Sequence, residues 1–256
     1  MASAPAVSVL IAEGVVTVRW DRPPVHVFDR ALLQELSAAL RSPEVLSAHV
    51  VRLEGARHRW SAGLDVRDHR AGSLKEMLRT FRSLLEALWE VPGPTVAQVE
   101  GPCLGGGLEL LSACDLAYAG ASATFGQPEV RLGVLPPFAI AEASTAIGPR
   151  AAAELLLLGE TLPADRAAAL GLVNRVFPDD QLSSEVDRLV GALRRNRRET
   201  LRLLKRTLHE VVAFPKAALD RAESVYQQEL MALPRAEEGL DAFVEKRPPR
   251  WPEAAR

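Results

Sequence analysis

Residues 94–113 read PTVAQVEGPCLGGGLELLSA: a valine-rich strand, a turn through Gly101, and three consecutive glycines at the head of an apolar helix. No other stretch limits the possible folds as tightly. A strand that feeds a helix in this way argues for a βαβ unit and a mainly parallel sheet. Glycine at 105, 106 and 107 strips side chains from the first helical turn, where backbone N–H groups lack partners and carry positive character. An oxygen gathering negative charge can then approach bare backbone. Glu109 follows within the same helix, and Glu129 comes later beside Pro128.

The rest of the chain supports an α/β core. Residues 7–14 and 15–23 read as strands meeting at a Glu-Gly turn, and 48–55 as a third strand. Residues 28–42 carry apolar side chains at helical spacing, with Asp29 able to cap the start, and 73–92 form a second helix pattern stopped at Pro92. From about residue 150 the pattern turns helical: 150–159, 163–171, 181–195, 199–212 and 215–233, with one short strand at 172–177. At 256 residues and 48% hydrophobic the chain can bury a large core in one domain or a domain with an appendage.

Several function classes drop out. A net charge of −2 advertises no polyanion partner. Two cysteines, Cys103 and Cys114, are too few for a disulfide framework and are expected to pack. No stretch has signal-peptide form or membrane length, so a cytoplasmic location is expected. The histidines at 26, 49, 58, 69 and 209 lack metal spacing, so no metal is expected. The run 193–206 holds seven basic residues, expected to form a solvated helical face, with phosphate contact second and RNA contact last.

A second candidate donor lies in HRWSAGLDV, residues 58–66, where Gly63 gives backbone freedom before Leu64. Two N–H groups facing one carbonyl oxygen would form an oxyanion hole. Two tight turns would read the same way on spacing alone.

Five blocks in order, WSAGLDV (60–66), VEGPCLGGGLELLSACDLAYA (99–119), ATFGQPEVRLGV (123–134), AALGLVNRVFP (168–178) and EGLDAFVEKR (238–247), resemble the enoyl-CoA hydratase/isomerase (crotonase) superfamily over nearly the full length. The resemblance implies an α/β, crotonase-like spiral of ββα units in residues 1–190 and a helical C-terminal trimerisation region in 191–256. It also implies trimers or dimers of trimers and an acyl-CoA thioester substrate, with coenzyme A as part of the substrate and no separate cofactor. Leu64 and Gly106 match the family's oxyanion-hole donors, and Glu109 and Glu129 the glutamate pair of its hydratases. Ala62, Leu64, Arg67 and Lys246 match coenzyme A contacts, and His69 and Arg70 could line the same entrance.

Two carboxylates can divide acid and base work if their surroundings hold different protonation states. Glu109, near a helix N-terminus, is expected to be the base. Glu129, after Pro128 at a strand end in an apolar stretch, is expected to be the proton donor. The chain departs from linear-chain hydratases after Glu129, reading GVLPPFAIAEAS (133–144) where those have a glycine-rich run. Residues 23–33 and 61–72 resemble the branch acting on cyclic dienoyl-CoA esters; branched and dicarboxylic esters are alternatives. Pro136 and Phe138, with Ile140, are expected to wall a short acyl pocket; the contrary reading is that they cap a helix and pack in the core. Decarboxylase, isomerase or thioester hydrolase chemistry on the same fold remains open, as does a non-catalytic, RNA-binding homologue.

Overall fold

The structure, a computed structural model, describes residues 5–211 and 215–251. Among the described residues there are nine strands: β1 (Val7–Ala12), β2 (Val15–Trp20), β3 (Val50–Gly55), β4 (Thr95–Val99), β5 (Pro102–Leu104), β6 (Leu116–Gly120), β7 (Thr124–Gly126), β8 (Thr161–Pro163) and β9 (Arg175–Phe177). They form a six-stranded sheet in the order β1-β2-β3-β4-β6-β9 and a three-stranded sheet in the order β5-β7-β8. Only β1–β2 is antiparallel in the larger sheet, its hairpin closed by Glu13 and Gly14 at positive φ.

The chain climbs as a spiral. β4 in the large sheet leads to β5 in the small one and then to helix Gly106–Ser112; β6 leads to β7 and a 3₁₀ turn, Pro128–Leu132. Each turn adds one strand to each sheet, as expected for ββα units. Single bridges extend the small sheet backward, Ser61 with Cys103 and Phe28 with Leu64. These short pairings put the 61–64 loop beside the 104–106 loop.

The main core fills the space between the sheets and helices Arg30–Leu40 and Ala71–Trp89. Asp29 caps the first of these, its carboxylate accepting from Leu32 N at 2.9 Å. Helix Leu182–Arg194 covers the other face of the sheet through Leu182, Val186 and Val190 against Val50, Val96 and Tyr118. The expected division at 190/191 therefore falls inside a helix that belongs to the core. The helix expected over 215–233 also breaks, into an α segment Lys216–Ser224, a π turn Val225–Glu229 and a 3₁₀ turn Leu230–Ala232. The helix expected over 199–212 is Arg198–Val211, and Val212 lies outside the described residues.

The basic run is not wholly solvated. Lys205 is buried, bonded to Asp115 at 2.8 Å and to the Gly93 carbonyl at 3.1 Å. Among the described residues no helix is long and apolar enough to cross a membrane.

Candidate active site

The glycine triplet is explained atom by atom. Gly105 has φ +51°, and a Cβ there would lie 2.6 Å from Glu129 Oε1. A Cβ on Gly106 would meet Leu64 Cγ at 2.6 Å, and one on Gly107 would meet Ser61 Cβ at 2.8 Å. Each glycine lets one specific neighbour approach, and all three neighbours belong to the site. Trp60, fully buried, donates from its indole to the Gly107 carbonyl at 2.7 Å and so pins the helix start.

The two loops are locked together. Ser61 N donates to Pro102 O at 2.9 Å and Leu104 N to Ser61 O at 3.0 Å. Gly63, at φ +100°, packs on Leu104 O, Gly105 and the Gly106 nitrogen, each within 4 Å of where its Cβ would stand. Among the described residues neither the Leu64 N–H nor the Gly106 N–H has a hydrogen-bond acceptor. The two sequence-matched donors are therefore neighbours, and both are unspent.

Glu109 is buried in the first turn of helix Gly106–Ser112. Its Oε1 accepts from Phe138 N and Ala139 N, both at 2.9 Å. These are the first donors of helix Pro137–Ile147, because Pro136 at its N-cap and Pro137 at its first position have none. Burial raises the Glu109 pKa, the two N–H bonds oppose that rise, and the nearby Glu223 adds to it. Helical position alone had suggested a readily ionised group; burial outweighs it.

Glu129 sits in the 3₁₀ turn Pro128–Leu132, not at a strand end as expected, since β7 closes at Gly126. It is also buried, and burial followed by the charge of Glu109 raises its pKa. With its amide nitrogen turned inward, the buried Gln127 donates to both Glu129 oxygens, at 3.2 and 3.0 Å. Like-charged carboxyls this close and this dry favour holding one proton between them.

The remaining candidates separate into two groups. Ala62, Leu64 and Arg67 line one groove of about 420 Å³ with Pro24, Phe243 and Val244. Arg67 is exposed and held by Asp65 at 2.6 Å. Lys246 follows that groove's last helix, Glu238–Val244, and is exposed. Arg70 and His69 do not line the entrance. Arg70 binds Glu237 and Asp241, at 2.9 and 2.6 Å, tying the C-terminal segment down, and His69 is buried against Tyr226. The expected wall is corrected as well. Residues 137–147 are a helix, Phe138 packs into the main core, Pro136 is buried, and Ile140 is exposed. What Phe138 offers Glu109 is its N–H.

Sequence reasoning missed Trp60 and Gln127, and it offered the proline-capped helix only as the contrary reading to an acyl wall. Cys103 is buried and Cys114 half-buried, and burial pushes both thiols up, in keeping with packing. Among the described residues no cluster of three or more His, Cys, Asp or Glu is placed to hold a metal ion.

Residues 11–254 match the family model described as enoyl-CoA hydratase/isomerase. The chain is 32% identical over 239 residues to cyclohexa-1,5-dienecarbonyl-CoA hydratase of Thauera aromatica, covering 91% of each. It is 36% identical over 163 residues to a mevalonyl-coenzyme A hydratase of Aspergillus fumigatus, covering 62% of this chain and 60% of that one. A crystal structure of an enoyl-CoA hydratase from Mycobacterium avium subsp. paratuberculosis K-10 superposes with a TM-score of 0.84 at 28% identity, covering 97% of this chain and 99% of that chain.

Proposed function

The chain belongs to the enoyl-CoA hydratase/isomerase family, and from that premise we propose that it is a lyase adding water to, or removing it from, a short branched or cyclic enoyl-CoA ester. The observation that carries the reading is the juxtaposition of two buried carboxyls with two unspent backbone N–H groups.

The thioester carbonyl would accept from Leu64 N–H and Gly106 N–H. Enolate charge then collects on that oxygen in a dry, preorganised site, which polarises the conjugated double bond. Glu109, with Oε1 anchored by helix Pro137–Ile147, takes a proton from water as the water oxygen bonds to the β-carbon. Glu129, held neutral by burial and by its neighbour's charge, gives its proton to the α-carbon. Water is consumed, Glu109 ends protonated and Glu129 ionised, and proton exchange between the pair restores the start. Dehydration runs the same steps backward.

Coenzyme A would lie along the groove at Ala62, Leu64 and Arg67, with Lys246 near its nucleotide end. It arrives with the substrate rather than as a resident cofactor. Leu203, Leu204 and Leu208 on helix Arg198–Val211 are exposed apolar groups that support self-association into a trimer or a dimer of trimers.

A panel of enoyl-CoA and 3-hydroxyacyl-CoA esters tests the reading together with Glu109→Gln and Glu129→Gln. Each variant should lose about 10²–10⁴ in kcat with an unchanged circular dichroism spectrum. Near-normal hydration by either variant would remove that glutamate from the mechanism.

A further inference from the structure

Tyr226 is a buried polar group that the proposed reaction leaves unused. Its side chain is 0% exposed, and its hydroxyl has no hydrogen-bond partner among the described residues. An O–H shut away without a partner is destabilising, and phenylalanine would fill the same space without that penalty. The backbone here is also irregular. Tyr226 lies in the π turn Val225–Glu229, and single wide turns of this kind occur frequently at functional sites.

Its neighbours connect it to the carboxyl pair. The phenol packs in an apolar cluster with Met77, Leu78, Val134 and Leu240, and Leu64 packs on the same cluster. Leu64 carries one of the two unspent N–H groups, and Val134 N donates to the Glu129 carbonyl at 3.1 Å. Burial raises the phenol's pKa, and the negative charges of Glu129 and Glu237 raise it further. The hydroxyl therefore stays protonated and lies within electrostatic reach of Glu129.

Leu64 and Glu129 both adjoin this cluster, the first through its side chain and the second through Val134. We propose that the Tyr226 hydroxyl is a specificity-determining donor to an uncharged oxygen, hydroxyl or carbonyl, on the acyl group beyond its β-carbon. The assignment rests on the hydratase reading and narrows its substrate class. A hydrocarbon acyl group would leave the O–H unpaired in the complex as well, whereas an oxygenated one satisfies it.

The test compares wild type with Tyr226→Phe on matched pairs of short 2-enoyl-CoA esters, one member a hydrocarbon and the other bearing a hydroxyl or ketone beyond the double bond. Wild type should favour the oxygenated member by about tenfold or more in kcat/KM, the scale of one hydrogen bond. Tyr226→Phe should lose about tenfold on that member and stay within about twofold on the hydrocarbon, with an unchanged or raised Tm because an unpaired buried hydroxyl is gone. An equal loss on both members, no loss on either, no preference in wild type, or a Tm lowered by several degrees would each overturn the assignment while leaving the hydratase reading intact. A wild-type protein that hydrates no ester in the panel overturns the hydratase reading, and this assignment with it.

Discussion

Two helix starts face the carboxyl pair, and they are built oppositely. Helix Gly106–Ser112 begins behind three glycines and has no side-chain cap. Helix Pro137–Ile147 begins with prolines at 136 and 137, and its first two donors are both taken by Glu109. Glycine keeps the N–H and removes the Cβ, so the donor survives and its surroundings open. Proline removes the N–H, so the orphan donors shrink to the two that one carboxylate oxygen can accept. The first start suits an oxygen that comes and goes, the second an oxygen that stays. A chain needing both a vacant donor and a fixed base can therefore write them as different residues at equivalent positions.

The largest effect should come from spending the vacant donor. Gly106→Pro and Gly106→Ala both introduce a Cβ where Leu64 Cγ stands 2.6 Å away, but only proline removes the N–H. The ratio of the two variants therefore isolates the donor from the crowding. Alanine should lower kcat modestly, and proline should fall about 10²–10³ below alanine. Matched circular dichroism spectra are the control. Equal rates for two folded variants would show that the Gly106 N–H holds nothing in the transition state.

A smaller effect separates the two carboxyls by stability. Folding raises the pKa of both above the ordinary 4.5. A carboxyl raised in this way contributes its stability in full below its unfolded value, and loses that contribution as pH climbs through the higher folded value. Wild type should therefore weaken between about pH 5 and about pH 9, and Glu129→Gln should weaken less, since glutamine cannot ionise. The variant's Tm should gain on wild type by about 2–6 °C across that interval, at about 2–4 °C per kcal/mol for a chain of this size. Glu109→Gln should gain less, because the Phe138 and Ala139 N–H groups already stabilise the Glu109 charge. Melting curves across pH check both, and parallel wild-type and Glu129→Gln profiles would contradict the burial argument.

The difference between the two helix starts also marks what a sequence discloses. The glycine start was legible because three glycines before an apolar helix have few uses, and each proves to clear a named neighbour. Asp29 was legible as a cap because its role is local. The proline start was legible as a helix cap but its partner was not, because Glu109 is contributed by a helix nearly thirty residues earlier in the chain. β5, β7 and β8 are three residues each, too short to show a period of two, so the small sheet that aligns the 61–64 and 104–106 loops leaves little trace. The π turn around Tyr226 interrupts a run whose apolar spacing reads as one helix. Trp60 and Gln127 act through a backbone carbonyl and a carboxylate brought close by the spiral, and neither residue type announces that role.

Gln127 gives the smallest and most local test. Glu129 has no helix start of its own; its polar support is its own backbone N–H and one amide, donating at 3.2 and 3.0 Å. A hydrogen bond to a carboxylate favours its charged form, so removing the donor should raise the Glu129 pKa further. Gln127→Leu keeps the side chain about the same size and deletes the donor. If Glu129 must be protonated to deliver a proton in hydration, the alkaline limb of the kcat/KM profile should move upward. The shift should be about one pH unit or less, the worth of one such bond at 1.36 kcal/mol per unit. The rate on the plateau should change by about tenfold at most, because both glutamates remain. An acidic limb that moves upward instead, with the alkaline limb fixed, would assign Glu129 the ionised role and Glu109 the neutral one, exchanging base and acid between the two. A profile that does not move would mean that the Gln127 amide faces away from the carboxylate and that burial and the Glu109 charge set the Glu129 proton.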